Sequence, residues 1–373
     1  MLTMEVYAAA LPRGVVNFIS GSGRTTMPPV MRSGLVDVLG FIGGSRASDA
    51  LMREHPAPHR LRAFLQLEAN NYGIVLADAD LDVAVEQCVL GATSYNGQRC
   101  TAIKPLLLTL TLTLTLTLAL TLTLTLPRCT AIKLILVHDS IAEAFVGRLA
   151  AAVGQLPQGL PWKSGVKITP LPEPKKPAYL QGLLADALSR GATLANGAHG
   201  GGALSEGGTL MTPAVVYPVT PAMRLWHEEQ FGPLVPVGVF RDDAELAEHI
   251  ARSPYGQQAA ISPISPLYLP ISPCISPCGQ QAAIFTRSAA AAAPLVDVLA
   301  TAVGRVNLNT QCGRSPDELP FSGRRSSALG TMSVSEALRA FSTETLVAGK
   351  ATQPSNPQLA EELPRLSKFM RAL

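Results

Sequence analysis

The feature that most constrains the fold is the run PLLLTLTLTLTLTLALTLTLTLP at residues 105–127, which contains no charged residue. The run reaches the ~20 residues that a helix needs to cross a bilayer. Its period of two, however, would place leucine on one face of a β-strand and threonine on the other. β-branched threonine is also a middling helix former, and the flanks lack Trp or Tyr anchors. We therefore interpret the run as an insertion without function, with an aggregation-prone strand or a membrane span as alternatives.

Short duplicated sequences flank this run and a second low-complexity segment. RCTAIK occurs at residues 99–104 and 128–133, and GQQAAI occurs at residues 256–261 and 279–284. The segment SPISPLYLPISPCISPC lies between the GQQAAI copies. Architectural repeats would carry similar hydrophobic patterning through each unit, and neither segment does. The sequence therefore predicts two insertions, at about 105–133 and 262–284.

Composition restricts the class of protein. The chain has 373 residues, enough for roughly two or three domains, and its net charge of +3 does not indicate nucleic acid or a membrane surface as partner. Six irregularly spaced cysteines do not form a disulfide framework, and no Cys/His/carboxylate set has metal-ligand spacing. The N-terminus does not resemble a signal peptide. We expect a cytoplasmic protein without a bound metal.

Strand and helix patterns alternate outside the insertions. Residues 14–23 (GVVNFISGSG) predict a buried strand followed by a Gly-rich turn, and residues 35–52 predict a strand, a Gly turn and a helix. A later helix is expected to have Asp78 or Asp80 as its N-cap, and another to have Ser140. This alternation predicts the α/β class with a parallel sheet.

A few residues combine the types and settings that catalysis needs. Cys100 follows a Gly turn and lies beside Arg99, a setting that favours a nucleophilic thiolate, although a buried structural cysteine fits the spacing as well. Glu68 lies at the end of a predicted strand, where it is either a general base or a surface carboxylate. Gly43 and Gly44 precede a predicted helix, so the turn either binds phosphate or is only a turn.

Taken together, the motifs resemble one family. LQLEANN, GQRC, EEQFGP and NLNT…PFSGRRSSALG follow in the order and approximate spacing of the aldehyde dehydrogenase superfamily. The chain is most similar to its non-phosphorylating, NADP-dependent glyceraldehyde-3-phosphate dehydrogenases, over about residues 8–350 apart from the insertions. GQRCT and EEQFGP are specific motifs, whereas the Gly turns are not. The resemblance implies a partial Rossmann-type cofactor domain, an α/β catalytic domain and a homo-oligomer.

The resemblance also implies roles for individual residues. Cys100 matches the nucleophile and Glu68 the general base. The residues that match cofactor-binding positions are Gly43, Gly44, Ser45, Glu229 and Phe231. Arg99 and Arg314 match the pair that holds the substrate phosphate, and two guanidiniums suit a phosphate dianion. The implied reaction is oxidation of glyceraldehyde 3-phosphate to 3-phosphoglycerate by NADP, with NAD as the alternative cofactor, through a thiohemiacetal and a thioester on the cysteine.

The duplicated flank leaves a choice of nucleophile. Cys100 and Cys129 both stand in RCTAIK, but only Cys100 keeps the preceding NGQ turn, which would aim the sulfur. Cys100 is therefore preferred. The motif LEANN also departs from the family's LELGGK, so the turn after Glu68 lacks the usual glycines.

The same comparison predicts the domain organisation. Residues 1–67 are expected to be a remnant of the dinucleotide-binding domain, residues 68–340 the catalytic domain, residues 341–350 an oligomerisation strand and residues 351–373 a tail. An N-terminally truncated chain would lack most of the dinucleotide-binding sheet, the oxyanion-binding Asn and the Lys that meets the cofactor ribose. Two other hypotheses are an inactive relative with a binding or oligomerisation role, and a membrane-anchored protein that uses residues 105–127.

Overall fold

The computed structural model describes residues 2–69, 71–98, 132–206, 208–246, 281–313, 319–323, 327–333, 336, 339, 341–342, 347–350 and 352–367. The chain divides into two compact units, Met1–Glu336 and Ala337–Leu373. The first unit contains two sheets with helices packed against them, which confirms the α/β class.

The secondary-structure elements alternate along the chain. The described helices are Leu2–Ala10 (α1), Gly23–Arg32 (α2), Ser45–Glu54 (α3), Leu81–Thr93 (α4), Ala142–Gly154 (α5), Lys176–Ser189 (α6), Arg224–His227 (α7), Ala289–Ala302 (α8) and Asn356–Leu366 (α9). The described strands are Val38–Ile42 (β1), Arg62–Gln66 (β2), Tyr72–Val75 (β3), Leu134–His138 (β4), Thr193–Leu194 (β5), Ala214–Tyr217 (β6), Leu234–Phe240 (β7), Gln281–Phe285 (β8), Arg305–Leu308 (β9) and Ala328–Leu329 (β10).

The smaller sheet has three strands in the order β1-β2-β10. β1 and β2 are parallel, and β10 runs antiparallel to β2. Leu39 and Leu65 of this sheet pack with Met31 of α2 and Leu51 of α3 in a small core. The strand, turn and helix predicted over 35–52 are confirmed as β1, the Gly turn and α3.

The larger sheet has seven strands in the order β5-β6-β7-β4-β3-β8-β9. All its neighbours are parallel except β5, which runs antiparallel to β6. Successive side chains of β3 point to opposite faces, so that Ile74 packs in one core cluster and Val75 in another. Because both faces are buried, β4 is apolar from Leu134 to Val137 without alternation.

Residues 67–71 connect the two sheets. The Leu67 N–H donates to the Ser327 carbonyl next to β10 at 2.9 Å. At the other end, Asn71 Oδ1 accepts the N–H of Gln281 at 3.0 Å. Glu68 therefore lies on a segment that is held at both ends, between the carboxyl end of β2 and the amino end of β3.

Two local predictions are wrong. Residues 14–20 form no strand, and Val15, Phe18 and Ile19 are 60%, 64% and 62% exposed, because no described strand pairs with this segment. Ser140 does not cap α5, since it lies in a short 3-10 turn, Asp139–Ile141, that precedes the helix. The predicted cap at Asp80 is confirmed, because its Oδ1 accepts the N–H groups of the first turn of α4.

The described residues of the second copy of each duplicated flank belong to the fold. Ile132 and Lys133 lead directly into β4, and residues 281–284 form most of β8. Both lie within the boundaries predicted for the insertions. The first copies, the Leu-Thr run at 105–127 and the remainder of the second insertion lie outside the described residues.

Two further sequence predictions are a membrane span at residues 105–127, which lie outside the described residues, and an oligomerisation strand at residues 341–350, which are described only in part. No helix within the described ranges is long and apolar enough to cross a membrane. In the second unit, residues 343–346 of the predicted oligomerisation strand lie outside the described residues, and that strand stays a prediction. No residue of the helix α9 is buried.

Candidate active site

The predicted cofactor turn and the predicted general base meet at the start of α3. β1 ends at Ile42 and is followed by Gly43 and Gly44, and Gly44 is the N-cap of α3 without any side-chain cap. Glu68 Oε2 instead accepts the backbone N–H of Ser45 at 2.6 Å. The N-terminus of a helix carries partial positive charge and unpaired N–H groups, so a carboxylate is stabilised there. The structure thus brings together Glu68 and the turn residues that the sequence separates by more than 20 positions.

This turn is the one that the sequence predicts to meet the phosphate groups of a dinucleotide. Gly43 and Gly44 are exposed, and the side chain of Arg46 in the first turn of α3 is exposed as well. The Glu68 carboxylate shows that an anion is accommodated at Ser45. The turn also follows the carboxyl end of a parallel strand, the end at which α/β sheets bind ligands.

The turn that leads to Cys100 has an unusual backbone. Tyr95, Asn96 and Gly97 all have positive φ, at 55°, 60° and 66°. Left-handed backbone costs about 1–2 kcal/mol at each non-glycine residue, so this turn must be held by its surroundings. Asn96 Oδ1 accepts the N–H of Thr169 at 2.8 Å, and Asn96 Nδ2 donates to Thr169 Oγ1 at 3.1 Å.

Gly97 is required both for its backbone and for its space. A Cβ at Gly97 would lie 2.7 Å from the Ala92 carbonyl oxygen and would also collide with that of Gly232. Gly97→Ala is therefore expected to lower the free energy of unfolding by about 2–4 kcal/mol, since a fixed clash adds to the strained φ.

Gly165→Ala is the matched control for this substitution. Gly165 also has a positive φ, at +80°, but nothing lies within 4 Å of a Cβ at that position. Urea unfolding followed by circular dichroism should show a loss of only about 1–2 kcal/mol for this variant. Equal losses in the two variants would contradict the role of crowding at Gly97.

Lys133 joins the turn at Gly97 to the EEQFGP segment. Its ammonium is 1% exposed, donates to the Gly97 carbonyl at 2.9 Å and lies 3.2 Å from Glu229 Oε1. The same nitrogen lies 4.8 Å from the centroid of the Phe231 ring, a favourable cation–π distance. Two predicted cofactor residues, Glu229 and Phe231, therefore share one cation with the turn that leads to Cys100. Phe231 has a φ of 44°, a strained value of the kind found at functional sites.

Of the two adjacent acids, Glu228 is engaged in a different contact. Arg224 Nε and Nη2 donate to its two carboxylate oxygens at 2.6 and 2.9 Å. The hydrogen bond from Arg224 lowers the pKa of Glu228 below its ordinary value. Tyr179 Oη also donates to Glu228 Oε2, at 3.3 Å. These contacts leave Glu229, rather than Glu228, as the acid that faces Lys133.

The sequence motifs did not indicate two lysines that lie at this site, Lys133 and Lys176. Lys133 interrupts the apolar stretch AIKLILV, and a lone charge in a buried strand could have indicated a paired cation. The Lys176 nitrogen lies 5.6 Å from the Phe231 ring centroid and 4.5 Å from that of Tyr179. Burial lowers the pKa of Lys176, and the nearby charge of Lys133 lowers it further, although the carboxylate of Glu173 opposes the shift.

The predicted nucleophile and the predicted phosphate ligands lie outside the described residues. These are Cys100, its alternative Cys129, Arg99 and Arg314. The two cysteines that the structure does describe, Cys88 and Cys312, are both buried. Burial raises the pKa of the Cys88 thiol, which is therefore unsuited to act as a thiolate. Within the described ranges no group of His, Cys, Asp or Glu is arranged to hold a metal ion.

Comparison with known proteins agrees with this fold. The model of the Aldehyde dehydrogenase family matches residues 1–125, 125–264 and 275–347. The chain therefore belongs to the aldehyde dehydrogenase family, as the sequence motifs predicted.

Individual relatives refine this placement. The chain is 30% identical over 344 residues to the NADP-dependent glyceraldehyde-3-phosphate dehydrogenase of Streptococcus equinus. The aligned residues cover 92% of this chain and 59% of that relative. The chain is 26% identical to the enzyme of the same name from Arabidopsis thaliana, over 89% of this chain and 54% of that relative.

A solved structure gives a similar result. The chain superimposes with a TM-score of 0.72 and 29% identity on the NADP-dependent glyceraldehyde-3-phosphate dehydrogenase of Bacillus halodurans C-125 complexed with NADP. The match covers 92% of this chain and 59% of that one. The chain thus spans somewhat more than half the length of these relatives.

Proposed function

We propose that this chain carries the catalytic part of an NADP-dependent aldehyde dehydrogenase, which oxidises an aldehyde to the acid through a cysteine thioester. The observation that carries the proposal is the contact between Glu68 and the N–H of Ser45 at 2.6 Å. It places a carboxylate suited to general-base chemistry at a helix N-terminus suited to the cofactor's phosphates.

The connecting segment relates this contact to the turn before Cys100. Asn71, three residues after Glu68, accepts the backbone N–H of Lys133 at 2.9 Å. Three residues span at most about 11 Å between Cα atoms, so Glu68 lies within that distance of Asn71, the residue to which the backbone of Lys133 is hydrogen-bonded. This connection supports the proposal that the base, the turn before the nucleophile and the cofactor residues act together.

The proposed chemistry uses three steps on the cysteine. The Cys100 thiolate attacks the aldehyde carbon and forms a thiohemiacetal, whose loss of hydride gives a thioester. Glu68 then removes a proton from water, the water oxygen adds to the thioester carbon, and the carbon–sulfur bond breaks. The acid leaves, and the cysteine thiolate is restored with the release of a proton. When bound, NADP supplies the acceptor for the hydride.

The cofactor residues would act by orientation. Gly43, Gly44 and the N–H of Ser45 would hold the phosphates, which requires the Glu68 carboxylate to leave Ser45. Glu229 would accept a hydrogen bond from the ribose, and the Phe231 ring would pack beside it. Because Lys133 faces Glu229 at 3.2 Å, that carboxylate is held on one side of the site.

The proposed substrate is glyceraldehyde 3-phosphate, and Arg99 and Arg314 are its proposed phosphate ligands. Support comes from the names of the relatives and from the chemistry of guanidinium, which binds phosphate through paired hydrogen bonds. Other aldehydes would enter the same reaction at the cysteine but would not need these arginines.

The test compares a phosphorylated and an unphosphorylated substrate in one variant. Arg314→Ala is expected to raise the KM for glyceraldehyde 3-phosphate by about 10–100-fold, in line with the loss of a charged hydrogen bond of ~1.5–3 kcal/mol. The KM for glyceraldehyde itself should stay within twofold. Both values are measured from NADPH absorbance. Equal changes for both substrates would exclude Arg314 as a phosphate ligand, and no reduction of NADP by wild type would contradict the proposed function.

A further inference from the structure

We propose that Lys133 is a positioning residue for the cofactor site, and that the second RCTAIK copy, not the first, supplies this lysine. The inference rests on the proposed function, in which Glu229 binds the cofactor ribose. Neither the sequence motifs nor the names of the relatives assign a role to this lysine.

The surroundings of Lys133 are those of a fixed structural cation. The Lys133 side chain is 1% exposed, so its ammonium has lost its hydration and needs partners in the protein. It has an ion pair to Glu229 Oε1, a hydrogen bond to the Gly97 carbonyl and the face of the Phe231 ring. One nitrogen thus fixes the direction of the Glu229 side chain relative to the strained turn before Cys100.

The backbone around Lys133 is fixed as tightly as its side chain. Its N–H donates to the Asn71 carbonyl at 2.9 Å, and its own carbonyl accepts Gln230 Nε2 at 3.0 Å. Gln230 Nε2 also donates to the Leu234 carbonyl at 2.9 Å, so the residue after Glu229 is tied to β4 and β7 together. The backbone of Lys133 is therefore held by Asn71 on one side and, on the other, by the residue that follows Glu229.

The preceding residue shows that the second copy is built into the core. The Ile132 N–H donates to the Gly91 carbonyl at 3.0 Å. A Cβ at Gly91 would lie 2.6 Å from Ile132 Cδ1, and one at Gly73 would lie 3.2 Å from Ile132 Cγ2. Two glycines on separate elements thus leave the space that this isoleucine fills.

The duplication makes this assignment specific to this chain. Lys104 stands in the same six-residue motif and follows Gly97 by seven positions, whereas Lys133 follows it by 36. Despite the longer separation, Lys133 makes the contact with Gly97. The site is thus completed by residues from the two sides of the Leu-Thr run, and Lys104 is not needed for it.

The experiment compares two substitutions in identical motifs, Lys133→Met and Lys104→Met. The dissociation constant for NADP, measured by fluorescence without aldehyde, should rise about tenfold or more in the first variant, because a misdirected ligand side chain costs affinity. It should stay within twofold in the second. The midpoint of urea unfolding without cofactor should fall for Lys133→Met and stay unchanged for Lys104→Met.

Further variants separate positioning from a purely structural role. If Lys133 acts on the cofactor through Glu229, Lys133→Met should change the NADP dissociation constant much less in a Glu229→Gln background than in wild type. Lys133→Arg, which keeps the charge, should recover most of the unfolding midpoint. Equal effects of Lys133→Met in both backgrounds would overturn the positioning role.

The assignment of the site lysine to the second RCTAIK copy is tested separately by comparing Lys104→Met with Lys133→Met. Loss of stability or of NADP binding in Lys104→Met, with Lys133→Met unaffected, would overturn it. A wild-type chain that binds no NADP would contradict the proposed function and the cofactor part of this inference. The urea midpoints would still decide which lysine completes the fold.

Discussion

Replacement of Cys100 by serine is expected to lower kcat for aldehyde oxidation by roughly 10⁴-fold or more, since removal of the nucleophile abolishes the covalent route. A serine hydroxyl is much less acidic than a thiol, and the base that would activate it acts later, on water. The rate of NADPH formation under saturating aldehyde and NADP measures this effect. The thermal midpoint should change by less than a degree or two, because the substitution is nearly isosteric.

Cys129→Ser is the matched control, because Cys129 stands in the same RCTAIK sequence. It should keep kcat within twofold of wild type. The NGQ turn that precedes Cys100 contains Gly97, which Lys133 holds through its carbonyl, and Cys129 has no such turn before it. Loss of activity in Cys129→Ser with Cys100→Ser still active would reverse the assignment of the nucleophile.

Glu68→Gln is expected to have two opposite effects. The steady-state kcat should fall by about 10²–10⁴-fold, because water would attack the thioester without a general base. Affinity for NADP should instead rise about two- to fivefold. The carboxylate that occupies the Ser45 N–H at 2.6 Å would be gone, and an anion at a helix N-terminus is worth ~0.3–1 kcal/mol.

Glu54→Gln controls for a general change of charge. Glu54 is the last residue of the same helix and pairs with Arg32 at 3.4 Å. This variant should leave both kcat and the NADP dissociation constant within twofold. If Glu68→Gln bound NADP more weakly than wild type, competition between the carboxylate and the cofactor phosphate would be excluded.

Much of the fold follows from local patterns in the sequence. β1, the Gly turn and α3 were predicted because the chain changes there from a strand pattern, through two glycines, to a helix pattern. The Asp80 cap was predicted because a side-chain oxygen is needed for the free N–H groups of α4. The strand predicted for the segment GVVNFIS is wrong for a different reason. Its residues favour a strand, but a strand also needs a neighbour, and no described strand pairs with it.

The candidate site was predictable in its residue types but not in its contacts. The motifs identified Glu68, Glu229 and Phe231, yet the Glu68 carboxylate on Ser45 and the Lys133 bridge join residues far apart in sequence. Local patterns contain no information on such distances. Because RCTAIK is duplicated, the sequence alone does not show whether Lys104 or Lys133 belongs to the site. The packing of the core selects the second copy, because Ile132 fills space beside Gly73 and Gly91.

The most direct test of the account uses the Glu68→Gln variant, in which hydrolysis of the thioester should be slow. Mixed with NADP and glyceraldehyde 3-phosphate, this variant should release a burst of about one NADPH per active chain and then turn over slowly. Mass spectrometry of the quenched protein should find a phosphoglyceroyl group on the peptide that contains Asn96, Gly97 and Cys100. An acyl group on Cys129, or no burst and no acylated cysteine in a folded protein that binds NADP, would contradict the account.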